Sequence, residues 1–219
     1  MNFPKTQLPE SQPGYAARRV IRYCAVVAVA VLLAKIAVAQ ASEAPAAVVE
    51  ETTNSVIGVL AQQGLGSDEK RRRVEEIVYA HVDFETLSRL VLARNWNRFS
   101  SEQQKEFVAE FKRHLSLTYG KRVDSYKNER VVVVGSRQET QGDWTVKTRI
   151  VRGGSDDILV DYRLRTKDDQ WRIIDMIIEG VSLVANFRSQ FQDAMANGGP
   201  EHILGLLRQK NASAEPLKS

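Results

Sequence analysis

From Ala46 to Gly199 the chain contains no proline, and within that span the spacing of apolar residues changes from a helical period to a period of two and back. All six prolines, at positions 4, 9, 13, 45, 200 and 216, lie outside it. Proline interrupts both helix and central strand, so such a span admits regular structure throughout. The order helices, strands, helices also excludes an alternating βαβ layout. The expected fold class is α+β: N-terminal helices, a four-stranded antiparallel meander, and C-terminal helices packed on the apolar sheet face.

The helical part begins with Val48, Val49, Val56, Ile57, Val59 and Leu60, which predict a helix closed by Gly64-Leu65-Gly66. Ser67 or Asp68 can cap a second, with Val74, Ile77 and Val78 on one stripe. Asp83 can cap a short third carrying Phe84, Leu87, Leu90 and Val91. Ser100 and Gln103 form a capping box ahead of a long helix over Ser101 to Tyr126, with Phe107, Val108, Phe111, Leu115, Thr118 and Tyr119 along one face.

Strands are expected over Arg130 to Arg137, Asp143 to Arg152, Ile158 to Thr166 and Trp171 to Glu179. The connecting turns are short enough to impose antiparallel hairpins. Trp144, Val146, Thr148 and Ile150 share one face; Ile158, Val160, Tyr162 and Leu164 share the same face of the next strand. Lys147, Arg149, Asp161, Arg163 and Arg165 point the other way, as in a sheet covered on one side. The fourth strand is apolar on both faces except at Arg172 and Asp175, so cover on both sides is expected there, with Asp175 a buried carboxylate in need of donors. Two helices follow, Ser182 to Asn197 and Glu201 to Lys210, separated by Gly198-Gly199-Pro200.

The formal charge of +4 invites a nucleic-acid reading, but it is confined to the beginning of the chain. Lys5, Arg18, Arg19, Arg22 and Lys35 stand against Glu10 there, and the other 180 residues carry 26 basic and 26 acidic side chains. A neutral body has no field to draw it to polyanions, and no nucleic-acid partner is expected. Residues 1–39 read as a cleaved signal peptide. Three arginines precede the 11-residue apolar run Cys24 to Ala34, and Ala37-Val38-Ala39 supplies a small-x-small site, with Ala39-Gln40-Ala41 an equal alternative. The run falls short of the roughly 20 residues a membrane helix needs, and Arg18-Arg19 leaves general and twin-arginine export both open. Residues 40–46 read as a linker, 47–210 as a single domain, and 211–219 as a disordered tail. The only cysteine, Cys24, lies in the leader, so the exported body lacks disulfide, thiol nucleophile and thiolate site.

Signatures of chemistry are scarce. His81, His114 and His202 fall in separate helical segments without paired spacing and are expected to be partly exposed. No HExxH, GxSxG, GxGxxG or P-loop occurs. Asp156-Asp157 and Asp168-Asp169 fall in turns, where aspartate caps its own backbone. Lys70-Arg71-Arg72-Arg73 lies among Glu69, Glu75 and Glu76 on a helix and reads as a solvated face. No catalytic residue, metal or cofactor is expected, and the protein is not expected to be an enzyme. Two alternatives stay open: an enzyme using Asp175 with His81 or His114, and a protein-binding adaptor with a solid core.

From Val82 onward the sequence resembles the MlaC family, also called the toluene-tolerance auxiliary family, of periplasmic phospholipid-binding proteins. The similar segments are Asp83-Phe84-Glu85, Leu92-Ala93-Arg94-Asn95-Trp96, and Ser100-Ser101-Glu102-Gln103-Gln104 leading to Phe107 and Phe111. More specific is Trp171-Arg172-Ile173-Ile174-Asp175-Met176-Ile177-Ile178-Glu179-Gly180-Val181-Ser182, with its Asp-x-x-x-Glu-Gly-Val-Ser core. The likeness extends over about Val48 to Leu207; a sister group linked to hopanoid lipids shares much of the pattern. The resemblance implies a periplasmic carrier that holds phospholipid acyl chains between sheet and helices. Implied partners are an outer-membrane lipoprotein complex and the MCE-domain subunit of an inner-membrane ABC transporter, in a system maintaining outer-membrane lipid asymmetry. A monomer is expected.

Facial sharing then predicts the lipid cavity. Val146, Ile150, Val160, Tyr162, Ile173 and Ile177 would line it from the sheet, and Phe84, Leu87, Val91, Phe107, Phe111 and Leu115 from the helices. Asp175, Gly180 and Ser182 would support it by fixing the joint between sheet and closing helix.

Overall fold

The structure, a computed structural model, describes residues 45–120, 126–154 and 156–213. The expected signal peptide therefore lies outside the described residues, which belong to one compact unit. Helix α1 covers residues 45–60. Pro45 occupies its first turn, where the missing N–H costs nothing, so Pro45 and Ala46 are helical and do not belong to a linker. Helix α2 (Ser67–His81) is capped by Gly66 without a side-chain bond; Asp68 and Glu69 sit inside its first turn, where they complement the helix dipole.

Helix α3 (Phe84–Leu92) is capped as expected, Asp83 accepting from the amides of Glu85 and Thr86 at 3.1 and 3.0 Å. Helix α4 (Ser101–Tyr119) opens with the reciprocal Ser100–Gln103 capping box and ends with Gly120 at its C-cap, short of the expected Tyr126.

The sheet runs β1 (Arg130–Gln138), β2 (Trp144–Val151), β3 (Ile158–Lys167), β4 (Gln170–Ile178) and β5 (Val181–Ser182), each antiparallel to the next in chain order. The short fifth strand arises at Glu179-Gly180, where φ of 49° and 80° make a two-residue turn that folds the chain back along β4. A second departure has larger consequences. Arg163 pairs with Asp175 but Leu164 with Ile173, which leaves Ile174 as an extra residue in β4. Such a bulge reverses the in–out alternation beyond it. Met176 and Ile178 consequently join Ile173 on the face that carries Tyr162 and Leu164, whereas Ile177 turns to the opposite face.

Helix α5 (Leu183–Ser213) is two helical segments meeting at Gly198-Gly199, where Gly199 has a φ of 68° that side chains disfavour. It runs through Asn211, Ala212 and Ser213, which are therefore helical and not part of a tail. Asn211 is buried: it donates to the Glu110 carbonyl at 2.9 Å and accepts from Nδ1 of His114 at 3.1 Å. That contact also buries His114, against the expected exposure, because its face of α4 meets the end of α5.

Apolar residues collect into two cores. One is helical: Phe107 and Phe111 of α4 meet Phe187 and Phe191 of α5 with ring centroids 5.0 to 5.6 Å apart, surrounded by Leu92, Ile203, Leu204 and Leu207. In the other, Val49 of α1 packs with Val146, Val160, Tyr162, Leu164 and Ile173 of the sheet. Both approach Val82, whose backbone bridges to Ile173 while the Asp83 amide donates to the Ile173 carbonyl at 3.0 Å.

Candidate functional site

Between the two cores the packing opens into a cavity of about 280 Å³. Val74, Val78 and Tyr79 of α2 form one wall, Phe84 and Leu87 of α3 with Leu115, Ser116 and Tyr119 of α4 form a second, and Ile173, Met176 and Ile178 of β4 form the floor. Leu183, at the start of α5, completes it. Arg71, Glu75 and Gly120 stand at the rim.

Local sequence explains each wall. Asp83 sets the start of α3 and with it the direction of Phe84 and Leu87. Burial would raise the pKa of its carboxyl, but the Thr86 hydroxyl and amide and the Lys167 ammonium, 3.2 Å away, outweigh this and hold it below the usual carboxylate value. At the other end Asp175, 1% exposed, accepts from the Ser182 hydroxyl at 2.6 Å and the Val184 amide at 3.0 Å, while Ser182 accepts from the Ala185 amide at 3.0 Å. Two side chains thereby satisfy the first turn of α5 and tie it to β4, which places Leu183 over the cavity.

Helix α2 is held differently. None of its 15 residues is buried. The Tyr79 hydroxyl meets Ser116 at 2.6 Å, the Lys112 ammonium lies 3.4 Å from the centre of the Tyr79 ring, and Lys70 donates to the Leu60 carbonyl at 2.7 Å. The basic run is mostly exposed and paired within the helix, Arg72 with Glu69 and Glu76 and Arg73 with Glu69. Arg71 departs from the solvated face by reaching the cavity rim.

Of the twelve residues expected to line a cavity, Phe84, Leu87, Leu115 and Ile173 do so. Val91, Phe107 and Phe111 are sealed in the helical core, because that face of α3 and α4 is covered by α5. Val146, Val160 and Tyr162, with Ile150 at their margin, are filled over by α1 on the far half of the sheet; burial pushes the Tyr162 phenol up to about 12. Ile177 is displaced by the bulge at Ile174, and Met176 and Ile178 stand in its place. The contribution of α2 was legible in the Val74 and Val78 stripe, but nothing local assigns that stripe to a cavity.

The described residues contain no cluster of three or more histidine, cysteine or acidic side chains able to hold a metal ion, and no helix long and apolar enough to cross a membrane. What the arrangement offers is a greasy compartment between helices and an antiparallel sheet, the architecture of a protein that shelters apolar matter.

The sequence pattern defining the MlaC protein family matches residues 50–209, and the chain belongs to that family. It is 26% identical over 164 residues to toluene tolerance protein ttg2D of Pseudomonas putida, a match spanning 73% of this chain and 76% of the relative. The fold is shared with a phospholipid-binding protein of Ralstonia solanacearum solved in complex with a phospholipid, at a TM-score of 0.70 and 22% identity, over 77% of this chain and 97% of that one.

Proposed function

We propose that this protein is a phospholipid carrier of the periplasm, with acyl chains held in the cavity between α2, α3, α4 and β4. The observation that carries the reading is the position of that cavity at the seam of two filled cores, with an almost wholly apolar lining. Membership of the MlaC family and the fold shared with a phospholipid-binding protein support it. The carrier shuttles lipid between an outer-membrane lipoprotein complex and the MCE-domain subunit of an inner-membrane ABC transporter, acts as a monomer without catalysis, and is exported by its first 39 residues.

Two acyl chains hold roughly 30 methylene groups, and at about 0.8 kcal/mol each their exposure to water costs on the order of 24 kcal/mol. Transfer therefore requires docking to a membrane or a partner, and net direction must come from a partner that hydrolyses nucleotide. Among the walls of the cavity α2, without a buried residue, is the one that yields at least cost when lipid enters.

Organic extraction of the purified protein followed by mass spectrometry tests the proposal. Close to one glycerophospholipid per chain is expected; protein that remains empty after equilibration with phospholipid vesicles overturns it.

A further inference from the structure

Among the described residues, the rim of the cavity carries a cation, Arg71, and a carboxylate, Glu75, in unequal circumstances. Arg71 is paired with Asp68 at 2.9 Å. The other acidic residues of α2 are paired as well, Glu69 with Arg72 and Arg73, and Glu76 with Arg72. Glu75 is the exception: half-buried, on the rim, and without a hydrogen bond or ion pair among the described residues. A partly desolvated carboxylate beside an apolar cavity calls for a cation or N–H donor. Both rim residues lean on the end of α4, where a Cβ on Gly120 would come within 3.2 Å of Arg71 Cδ and 3.9 Å of Glu75 Oε1. The glycine thus leaves room for the two side chains to stand together over the opening. Arg71 spends one guanidinium nitrogen on Asp68, which leaves donors for a phosphate.

We propose that this rim selects zwitterionic phospholipids bearing a primary ammonium, with Glu75 accepting from the ammonium and Arg71 donating to the adjacent phosphate. The inference rests on the carrier reading above. A glycerol headgroup offers Glu75 no positive charge and brings a net negative one beside it. A choline headgroup is cationic but has no N–H to donate. Both rim groups remain in contact with water, so the selectivity is that of a partly exposed ion pair, about two- to fivefold.

Purified protein is equilibrated with vesicles containing equimolar phosphatidylethanolamine, phosphatidylcholine and phosphatidylglycerol with matched acyl chains, re-isolated and extracted. The readout is the ratio of headgroups recovered from one sample, which is independent of total load and of the fraction folded. Phosphatidylethanolamine should be enriched about two- to fivefold over each competitor, E75Q should bring the ratio close to one, and E75D should keep part of the preference. Equal recovery of the three lipids by the native protein, or an enrichment that E75Q leaves intact, overturns the inference while the carrier reading stands. Protein that takes up none of the three overturns both.

Discussion

The Tyr79 hydroxyl and the Ser116 hydroxyl lie 2.6 Å apart, joining α2 to α4 at residues that both line the cavity. None of the 15 residues of α2 is buried, so this bond acts as a catch on the wall that yields most easily when lipid enters. Tyr79→Phe keeps the ring and the Lys112 contact and removes only the bond. At about 0.5–1.5 kcal/mol for a neutral hydrogen bond, lipid exchange between protein and vesicles should accelerate about two- to tenfold with little change in equilibrium loading. Fluorescent-lipid transfer kinetics provide the measurement, and an unchanged rate would dismiss the catch.

Filled core and cavity wall should respond in opposite ways to substitution. Phe111, fully buried among three phenylalanines, should lose about 3–5 kcal/mol on replacement by alanine, and a charge there should unfold the protein. Val78→Trp projects into the cavity from a helix without buried residues, so the fold should survive while bound lipid falls sharply. Urea unfolding and lipid quantification on the same samples separate the two; loss of lipid without loss of stability in Phe111→Ala would contradict the assignment.

The joint between β4 and α5 depends on an acceptor at position 175. Asp175→Ala strands the buried Val184 amide and the Ser182 hydroxyl and should cost about 2–4 kcal/mol. Asp175→Asn still accepts from the amide and can donate to Ser182, so about 1 kcal/mol is expected, with fold and lipid retained. Denaturant midpoints order the three proteins; an asparagine variant as damaged as the alanine one would mean that the charge itself is required.

Gly180 should be sensitive for backbone reasons alone. A Cβ there would meet nothing within 4 Å, yet φ is +80°. Gly180→Ala should cost about 1–2 kcal/mol, Gly180→Asn less, and Gly180→Val most because a β-branched residue resists that conformation. A neutral Gly180→Val in thermal unfolding would show that the turn relaxes freely.

His114 should make stability depend on pH. Burial depresses its pKa below the ordinary 6.5, with Lys210 adding to the effect and the bond to Asn211 opposing it. The folded state therefore binds its proton less readily than the unfolded chain. The contribution is complete above pH 6.5 and is lost as pH falls from there through the folded value. His114→Gln, which can still donate to Asn211 and does not titrate, should flatten the decline between neutral pH and pH 5 in urea midpoints. A slope identical to that of the native protein would assign the dependence elsewhere.

Much of the architecture is local information and can be read from the chain. The Ser100–Gln103 box, the Asp83 cap, the Gly198-Gly199 break and the paired hairpins each depend on residues within a few positions of one another, and the structure has them where their chemistry requires. Alternation along β2 and β3 likewise identifies the inward face, since a side chain's direction follows from the backbone period. What lies opposite that face is not local. Whether Val160 meets α1 and Ile173 meets a cavity depends on where helices from other parts of the chain come to rest. One extra residue at Ile174 exchanges Ile177 for Met176 and Ile178 because it inverts a period-two pattern without altering its composition. The burial of His114 against Asn211 and the place of Glu75 at the cavity belong to the same category: each follows from neighbours that only the packed chain supplies.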